Sequence, residues 1–284
     1  MLPTQRQLYQ HPDSSGPITL HTAEDFEGMR AAGRLAAETL DMITDYVVEG
    51  VSTAELDKRI QDFVGGAGAV SATIGYRGYQ HASCISLNEV VCHGIPSDQT
   101  VLEDRDILNI DVTVIVDGWH GDTSRMYVVG GSSFPTREKL VRVTYECLWK
   151  GINATKPGAT LGDVGAAIQK HGEKAGFSIV RQFVGHGLGE QFHMAPNIFH
   201  FGKPGKGVEL VPGMIFTIEP MLNVGTYKVD IDEDDGWTAR TRDRKSSAQF
   251  EHSVGVTADG VEIFTGSPRG FEQPPYIRYT TWWP

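Results

Sequence analysis

The chain has 284 residues, of which 40% are hydrophobic and 21% charged, as is usual for a globular protein. Its formal net charge of -11 argues against nucleic acid as the main partner, because a phosphate backbone would repel it. No apolar run reaches the roughly 20 residues that span a bilayer, the first residues lack a secretory signal, and three cysteines are too few for a disulfide framework. We therefore expect a cytoplasmic protein that does not enter a membrane.

Two pairs of helices, each followed by strands, are predicted along the chain. Apolar residues with helical spacing predict helices at 22–47, 51–64, 135–154 and 160–176. Apolar runs bounded by turn residues predict strands at 81–92, 107–129, 213–222, 237–243 and 246–264. Each half also contains a His-Gly element, "VCHGIP" and "VGHGLG". The sequence therefore predicts a duplicated ααββ unit that closes around one shared sheet.

No linker divides the two halves, so we expect one domain over residues 18–267. Residues 1–17 are predicted to be an extended N-terminal segment. Residues 268–284 form an aromatic C-terminal tail that we expect to pack on the domain. Its aromatic side chains are Phe271, Tyr276, Tyr279, Trp282 and Trp283.

The stretch "NIDVTVIVDGWHGDTS" (109–124) is predicted to form a β-hairpin around the two-residue turn Asp117-Gly118. The turn would pair Val116 with Trp119, Thr113 with Asp122 and Asp111 with Ser124. Strand alternation then places one polar set on a common face: Asn109, Asp111, Thr113, Asp122 and Ser124. Asp111 and Asp122 become diagonal neighbours about 7–8 Å apart at the backbone.

Three interpretations of the two aspartates are open from the hairpin alone. The face could be solvated, as in many antiparallel hairpins. The carboxylates could share a proton, or both could bind a cation, because like charges this close repel unless something compensates them.

Three further ionisable residues lie in unusual settings. Glu219 ends the apolar run "MIFTI", Glu251 lies within "AQFEHSVGV", and His186 stands between two glycines. Each alone could be an ordinary strand-end or loop residue. Together with the two aspartates they form an oxygen-rich donor set that suits a pair of Mn²⁺, Fe²⁺ or Co²⁺ ions, with Zn²⁺ a further candidate. Two such ions are a common hydrolytic arrangement.

Five motifs, in this order, resemble those of the type I methionine aminopeptidases, which have the pita-bread fold: "VVCHGIP", "NIDVTVIVDGWHGDTSRM", "VGHGLGEQFHMAP", "FTIEPM" and "QFEHSV". The resemblance covers residues 18–266. It implies an α+β fold in which two ααββ units, related by a pseudo-twofold axis, surround a curved antiparallel sheet with the helices on its outer face.

The resemblance also implies a role for each residue of the donor set. Asp111 would bind one metal ion through both oxygens, Asp122 and Glu251 would bridge two ions, and His186 and Glu219 would complete the ligands of the other ion. Glu219 would also transfer protons.

The resemblance places two further histidines, His93 and His193, on the substrate. They would steady the tetrahedral intermediate through hydrogen bonds. Methionine would occupy an apolar slot lined by Tyr76, Tyr79, Cys84, Phe192 and Trp237. Two departures from the family pattern bear on this slot: Thr73 replaces a cysteine of some relatives, and Met194-Ala195 replaces residues that are often acidic.

Trp237 follows the acidic segment "DIDEDDGW" (230–237). This segment lacks the spacing of an EF-hand calcium loop. We expect it to be a solvated turn that charge repulsion keeps extended.

The sequence thus predicts a dinuclear metalloaminopeptidase that removes the initiator methionine from nascent polypeptides and prefers a small second residue. We expect a monomer that meets the ribosome transiently. Two alternatives have the same fold: a proline-directed peptidase (an Xaa-Pro aminopeptidase or prolidase) and a non-catalytic binding protein. The proline-directed enzymes usually carry an additional N-terminal domain, and a non-catalytic relative would be expected to have lost metal ligands.

Overall fold

The computed structural model describes residues 1–276. The four predicted helices are confirmed as α1 (Ala23–Ile43), α2 (Thr53–Gly66), α3 (Pro135–Ala154) and α4 (Leu161–Lys174). The strands of the first half are β1 (Gln7–Tyr9), β2 (Ile18–Leu20), β3 (Val70–Ser71), β4 (Cys84–Leu87), β5 (Val90–Cys92), β6 (Ile107–Val116) and β7 (Trp119–Val128). Those of the second half are β8 (Ser178–Ile179), β9 (Gly185–Gly187), β10 (Met194–Ile198), β11 (Ile215–Ile218), β12 (Met221–Asn223), β13 (Val229–Ile231), β14 (Ala239–Thr241), β15 (Ser247–Gln249), β16 (His252–Val256) and β17 (Val261–Ile263). None of the described helices is long and apolar enough to cross a membrane.

Side-chain caps fix where three of the helices begin. Thr22 and Asp25 form a reciprocal capping box at α1, and Thr160 and Asp163 form another at α4. Ser52 caps α2 by accepting a hydrogen bond from the backbone N–H of Glu55 at 3.2 Å. These short polar residues satisfy N–H groups that have no partner within the helix.

Each helix pair packs its apolar side against the strands of its own half. In the first half, Leu40 of α1 and Ile60 of α2 share a core with Ile110 and Val112 of β6. Helix α1 lies very close to β7, because a Cβ on Gly121 would come within 2.2 Å of the Ala32 carbonyl oxygen. Burial of this apolar surface is the main stabilising contribution to the fold.

In the second half, α3 and α4 build the larger core with the later strands. Leu148 of α3 and Ile168 of α4 pack with Phe216 and Ile218 of β11. In both halves the apolar core lies between the helices and one face of the strands. The other face of the strands is left for polar residues.

The strands pair antiparallel, as the predicted fold requires. Among residues 1–276 they are hydrogen-bonded in the orders β1-β2, β10-β9-β11-β16-β17, β15-β12-β8, β13-β14-β5 and β3-β6-β4, with β7 paired to β6. Strand β11 pairs with β16, and the same two chain segments continue as β12 pairing with β15. The break between them falls at Glu219-Pro220 on one segment and Phe250-Glu251 on the other. Proline cannot donate to a ladder, so the sheet is interrupted where two candidate ligands lie.

Hydrogen bonds at this break join the two halves of the chain. The Asn109 side chain donates to the Gln249 carbonyl oxygen at 2.9 Å, and Ser253 Oγ donates to the Asp122 carbonyl oxygen at 2.6 Å. The Glu251 N–H donates to the Ser124 carbonyl oxygen at 3.0 Å. The two halves of the chain therefore meet at the backbone of Asp122 and Glu251, which are two of the candidate metal ligands.

The described part of the C-terminal tail is held on β7 and α1. Tyr276 donates its hydroxyl to the Met126 carbonyl oxygen at 2.6 Å, and its ring lies 5.4 Å from that of Tyr127. Buried Asp41 accepts hydrogen bonds from Arg125, from Ser267 Oγ and from the Arg269 N–H. The predicted contributions of Tyr279, Trp282 and Trp283 lie outside the described residues.

Replacing Asp41 with alanine is expected to lower the free energy of unfolding by about 3–5 kcal/mol, because the guanidinium of Arg125 would remain buried without its counter-ion. Chemical denaturation of the purified variant measures this. Asp62→Ala is the control, since Asp62 pairs with Lys58 on the surface and its loss should change stability by less than about 1 kcal/mol. Equal effects of the two substitutions would contradict the role of Asp41.

Candidate metal centre and substrate cavity

The β6–β7 hairpin has the predicted register, with Val116 opposite Trp119 and Thr113 opposite Asp122. Asp117 and Gly118 have φ values of 49° and 86°, as a tight turn that matches strand twist requires. Asp122 is only 3% exposed and accepts a hydrogen bond from Thr113 Oγ1 at 2.8 Å. The interpretation of a solvated hairpin face is therefore wrong: this face points into the protein.

His186 lies on β9, which the neighbouring strand approaches closely. A Cβ on Gly187 would come within 2.2 Å of the Ala195 carbonyl oxygen, so a larger residue would displace β10. The Nδ1 atom of His186 lies 3.1 Å from the Gly187 carbonyl oxygen. Its Nε2 atom lies 3.5 Å from Asp122 Oδ2 and 3.8 Å from Glu219 Oε1. One ring nitrogen is thus occupied by backbone, and the other faces carboxylates.

Two hydrogen bonds orient Glu219, which lies in the interrupted ladder. Thr217 Oγ1 donates to Glu219 Oε1 at 2.8 Å, and Gln249 Nε2 donates to Glu219 Oε2 at 3.2 Å. Glu251 lies in the facing segment and is fixed by its backbone, since its carbonyl oxygen accepts from Thr123 Oγ1 at 2.7 Å. The conformations of both glutamates therefore follow from pairing between distant parts of the chain.

Burial and mutual repulsion raise the pKa values of three of the carboxyl groups. Burial raises the pKa of Asp111, and the charges of Asp122 and Glu219 raise it further. Burial and the charge of Asp122 likewise raise the pKa of Glu251. Burial raises the pKa of Glu219 to about 7. The cluster therefore favours bound protons or a bound cation.

The donor set fits divalent metal ions. Asp122, His186 and Glu251 each offer one ligand atom within 4.8 Å of the others, and no other such group occurs among residues 1–276. Asp111 and Glu219 line the same cavity. Carboxylate oxygens with one imidazole suit Mn²⁺, Fe²⁺ or Co²⁺. They differ from the ligands of a structural zinc site, which are mainly cysteine and histidine.

All seven predicted substrate residues line this cavity, which has a volume of about 690 Å³. The Tyr79 ring lies 5.1 Å from that of Trp237, and the Tyr76 ring lies 5.0 Å from that of Phe192. Cys84 pairs directly with Asp111 in the β4–β6 ladder, so the apolar wall adjoins the carboxylates. Burial raises the pKa of the Cys84 thiol, which therefore stays neutral.

The two predicted catalytic histidines both line the cavity and contact different aromatic side chains. His93 follows β5 with a φ of 58°, and its ring lies 5.2 Å from that of Phe183. Burial lowers the pKa of His93, so its imidazole is neutral near pH 7. The His193 ring stacks on Tyr76 at 5.2 Å and lies 4.2 Å from the ring of His186. His193 is therefore beside the candidate metal ligands.

The structure also resolves two details of the cavity wall. Thr73 Oγ1 donates to the His81 carbonyl oxygen at 2.7 Å, so its hydroxyl is engaged in the loop. The acidic segment before Trp237 is a closed turn in which Asp235 accepts from the Trp237 N–H at 2.7 Å and the Gly236 N–H donates to the Asp232 carbonyl oxygen at 2.9 Å. The predicted solvated turn is confirmed, but the turn is closed and not extended, because these hydrogen bonds offset the charge repulsion.

Two residues that orient Glu219, and part of the cavity lining, were not predicted from the sequence. Gln249 and Thr217 orient Glu219, and each stands two residues from a candidate ligand, where strand alternation would have indicated the same face. Residues 15–17 of the N-terminal segment also line the cavity. No pattern in their sequence indicates that they would lie there.

The site is a buried cluster of carboxylates and one imidazole beside an aromatic cavity, and comparison with known proteins identifies the class of protein. The sequence profile of metallopeptidase family M24 matches residues 27–258. The chain is 51% identical to the methionine aminopeptidase of Rickettsia prowazekii over 91% of this chain and 99% of the relative. It is 55% identical to methionine aminopeptidase A of Synechocystis over 87% of this chain and 97% of the relative.

The chain belongs to metallopeptidase family M24. The crystal structure of the methionine aminopeptidase from Rickettsia prowazekii superposes with a TM-score of 0.86 at 52% identity, over 87% of this chain and 99% of that structure. The predicted α+β pita-bread fold and the predicted resemblance to the methionine aminopeptidases are thereby confirmed.

Proposed function

We propose that the chain is a cytoplasmic, monomeric methionine aminopeptidase that removes the first residue of nascent polypeptides with two bound divalent metal ions. The observation that carries the proposal is the convergence of Asp122, His186 and Glu251 within 4.8 Å at the wall of an aromatic cavity. The protein would bind nascent chains transiently at the ribosome.

Asp111, Asp122, His186, Glu219 and Glu251 are the residues that would hold the two ions. Divalent ions lower the pKa of water and polarise a carbonyl group, which is the chemistry that peptide hydrolysis requires. Mn²⁺, Fe²⁺ and Co²⁺ match the donor set, and Zn²⁺ is accepted by similar carboxylate and imidazole ligands.

The remaining residues bind and orient the peptide. Tyr76, Tyr79, Cys84, Phe192 and Trp237 would enclose the methionine side chain, whose flexible thioether makes favourable contacts with aromatic rings. His93 and His193 would donate hydrogen bonds to the scissile carbonyl as negative charge develops on its oxygen. Glu219 would accept a proton and return it to the departing amine.

Release of methionine from Met-Ala-Ser in the presence of Mn²⁺ or Co²⁺ tests this function. We expect release that a chelator abolishes, no cleavage of Ala-Pro peptides, and at least about tenfold slower release from Met-Leu-Ser, because a tight second pocket excludes bulky side chains. Cleavage of Ala-Pro peptides in preference to Met-Ala-Ser would instead support a proline-directed peptidase. Failure to cleave any peptide with any of these metals would support a non-catalytic binding protein.

A further inference from the structure

The N-terminal segment folds into a hairpin that lies outside the matched family range of 27–258. Strand β1 pairs with β2, with Gln7 opposite Leu20 and Tyr9 opposite Ile18. Residues 10–17 form the loop between these strands. We call the segment from residue 6 to residue 20 the N-terminal hairpin.

The loop of this hairpin reaches the mouth of the cavity. Ser15, Gly16 and Pro17 belong to its lining, and Ser15 and Pro17 are exposed. The loop faces strand β10, because a Cβ added to Gly16 would lie 3.8 Å from the Ala195 Cβ. Met194 and Ala195, the pair that departs from the acidic family pattern, therefore form a joint uncharged wall with the hairpin.

Ion pairs hold the hairpin in this position. The Arg6 guanidinium donates to both oxygens of Asp25 at 2.8 and 2.7 Å and to Glu190 at 2.6 Å. Glu190 belongs to the same short segment as Phe192 and His193, which line the cavity. The hairpin is thus attached both to α1 and to the segment that carries a candidate catalytic histidine.

The part of a peptide that extends out of the site must pass this wall. An aminopeptidase accepts one residue before the scissile bond, and the buried side chains of Tyr79 and Cys84 enclose that end of the cavity. The rest of the peptide must therefore pass the exposed end, where residues 15–17 lie on one side and exposed Arg77 lines another part of the rim.

We propose that the loop of the N-terminal hairpin is a substrate-binding wall that contacts the third and fourth residues of the peptide and selects among them. This inference rests on the proposed aminopeptidase function. It assigns a role in substrate specificity to residues 15–17, which lie outside the range 27–258 that the family profile matches.

The substitution Gly16→Asp tests the contact by placing a charge on the wall. The backbone at Gly16 is not in the left-handed region, and its Cβ has ordinary van der Waals space, so the hairpin should retain its structure. Steady-state kinetics would compare Met-Ala-Lys-Leu, Met-Ala-Asp-Leu and the dipeptide Met-Ala. We expect the ratio of kcat/KM for the lysine peptide over the aspartate peptide to rise up to about 25-fold, because a charge near 4 Å away in water favours lysine about fivefold and disfavours aspartate about fivefold. The value for Met-Ala should stay within about twofold of wild type, because the dipeptide does not reach the wall.

Gln10→Asp is the matched control, because Gln10 is an exposed residue of the same loop that does not line the cavity. Its ratio should equal that of the wild type. An unchanged ratio in both Gly16→Asp and Ser15→Asp, or an equal rise in Gln10→Asp, would overturn the inference while the wild type still releases methionine. A wild type that releases no methionine from any of the three peptides would overturn the proposed function, and the inference with it.

Discussion

Replacing Asp111 with asparagine is expected to reduce methionine release by about 10³-fold or more while the fold is retained. The substitution keeps the size of the side chain but removes one charged oxygen donor from the cluster. If the bound metal contributes several kcal/mol to stabilising the transition state, its loss corresponds to at least three factors of ten in rate. Steady-state kinetics with Met-Ala-Ser and saturating Mn²⁺ measures this.

The stability of the Asp111→Asn variant distinguishes a ligand from a structural residue. In the metal-free chain the charges of Asp122 and Glu219 disfavour an ionised Asp111, so removing its charge should leave the melting temperature unchanged or raise it. Asp117→Asn is the matched control, since Asp117 lies at the exposed turn of the same hairpin and asparagine tolerates its positive φ. Full activity in Asp111→Asn would remove Asp111 from the metal centre.

Removing metal is expected to leave a chain whose stability still falls as the pH rises past neutrality. The folded-state pKa values of Asp111 and Glu251 are raised, and that of Glu219 is about 7, against about 4 in the unfolded chain. A raised carboxyl pKa contributes stability that is present below the unfolded pKa and is lost as the pH rises through the folded pKa. Because the pKa of Glu219 is about 7, part of this loss falls above neutrality, and the melting temperature of the metal-free chain should be lower at pH 8.5 than at pH 7.

Bound Mn²⁺ should reverse this dependence, because it replaces the protons that the carboxylates would otherwise share. At 100 times its dissociation constant a ligand adds about 2.7 kcal/mol, which corresponds to about 5–10 °C in melting temperature for a chain of this size. Differential scanning calorimetry at pH 7 and pH 8.5, with and without Mn²⁺, measures the effect. Asp234→Asn, in the exposed acidic turn, should retain the full Mn²⁺ shift, whereas Asp111→Asn should lose most of it. A metal-free melting temperature that rises over this interval would contradict the account.

The local parts of the site were predictable from the sequence. The Asp117-Gly118 turn determines the hairpin register, and strand alternation then places Asp111 and Asp122 on one face. Helix starts at Thr22 and Thr160 follow from side-chain caps that act within four residues. In each of these cases the determining interaction joins residues that are close in the chain.

The parts that required long-range pairing were not predictable from local patterns. Glu251 reaches Asp122 through a backbone bridge to Ser124, and only the family resemblance indicated this before the structure. Local patterns also gave no sign that the ladder is interrupted at Glu219-Pro220, where proline cannot donate a hydrogen bond. The hairpin loop at the cavity mouth has no periodic pattern, and its position depends on the ion pairs of Arg6 with distant carboxylates.

Anomalous diffraction from crystals soaked in Mn²⁺ tests the central claim most directly. The account predicts two anomalous peaks about 3.5–4 Å apart, as in other two-metal hydrolytic sites, bounded by the side chains of Asp111, Asp122, His186, Glu219 and Glu251. Peaks elsewhere on the surface, with none among these five residues at saturating Mn²⁺, would contradict it.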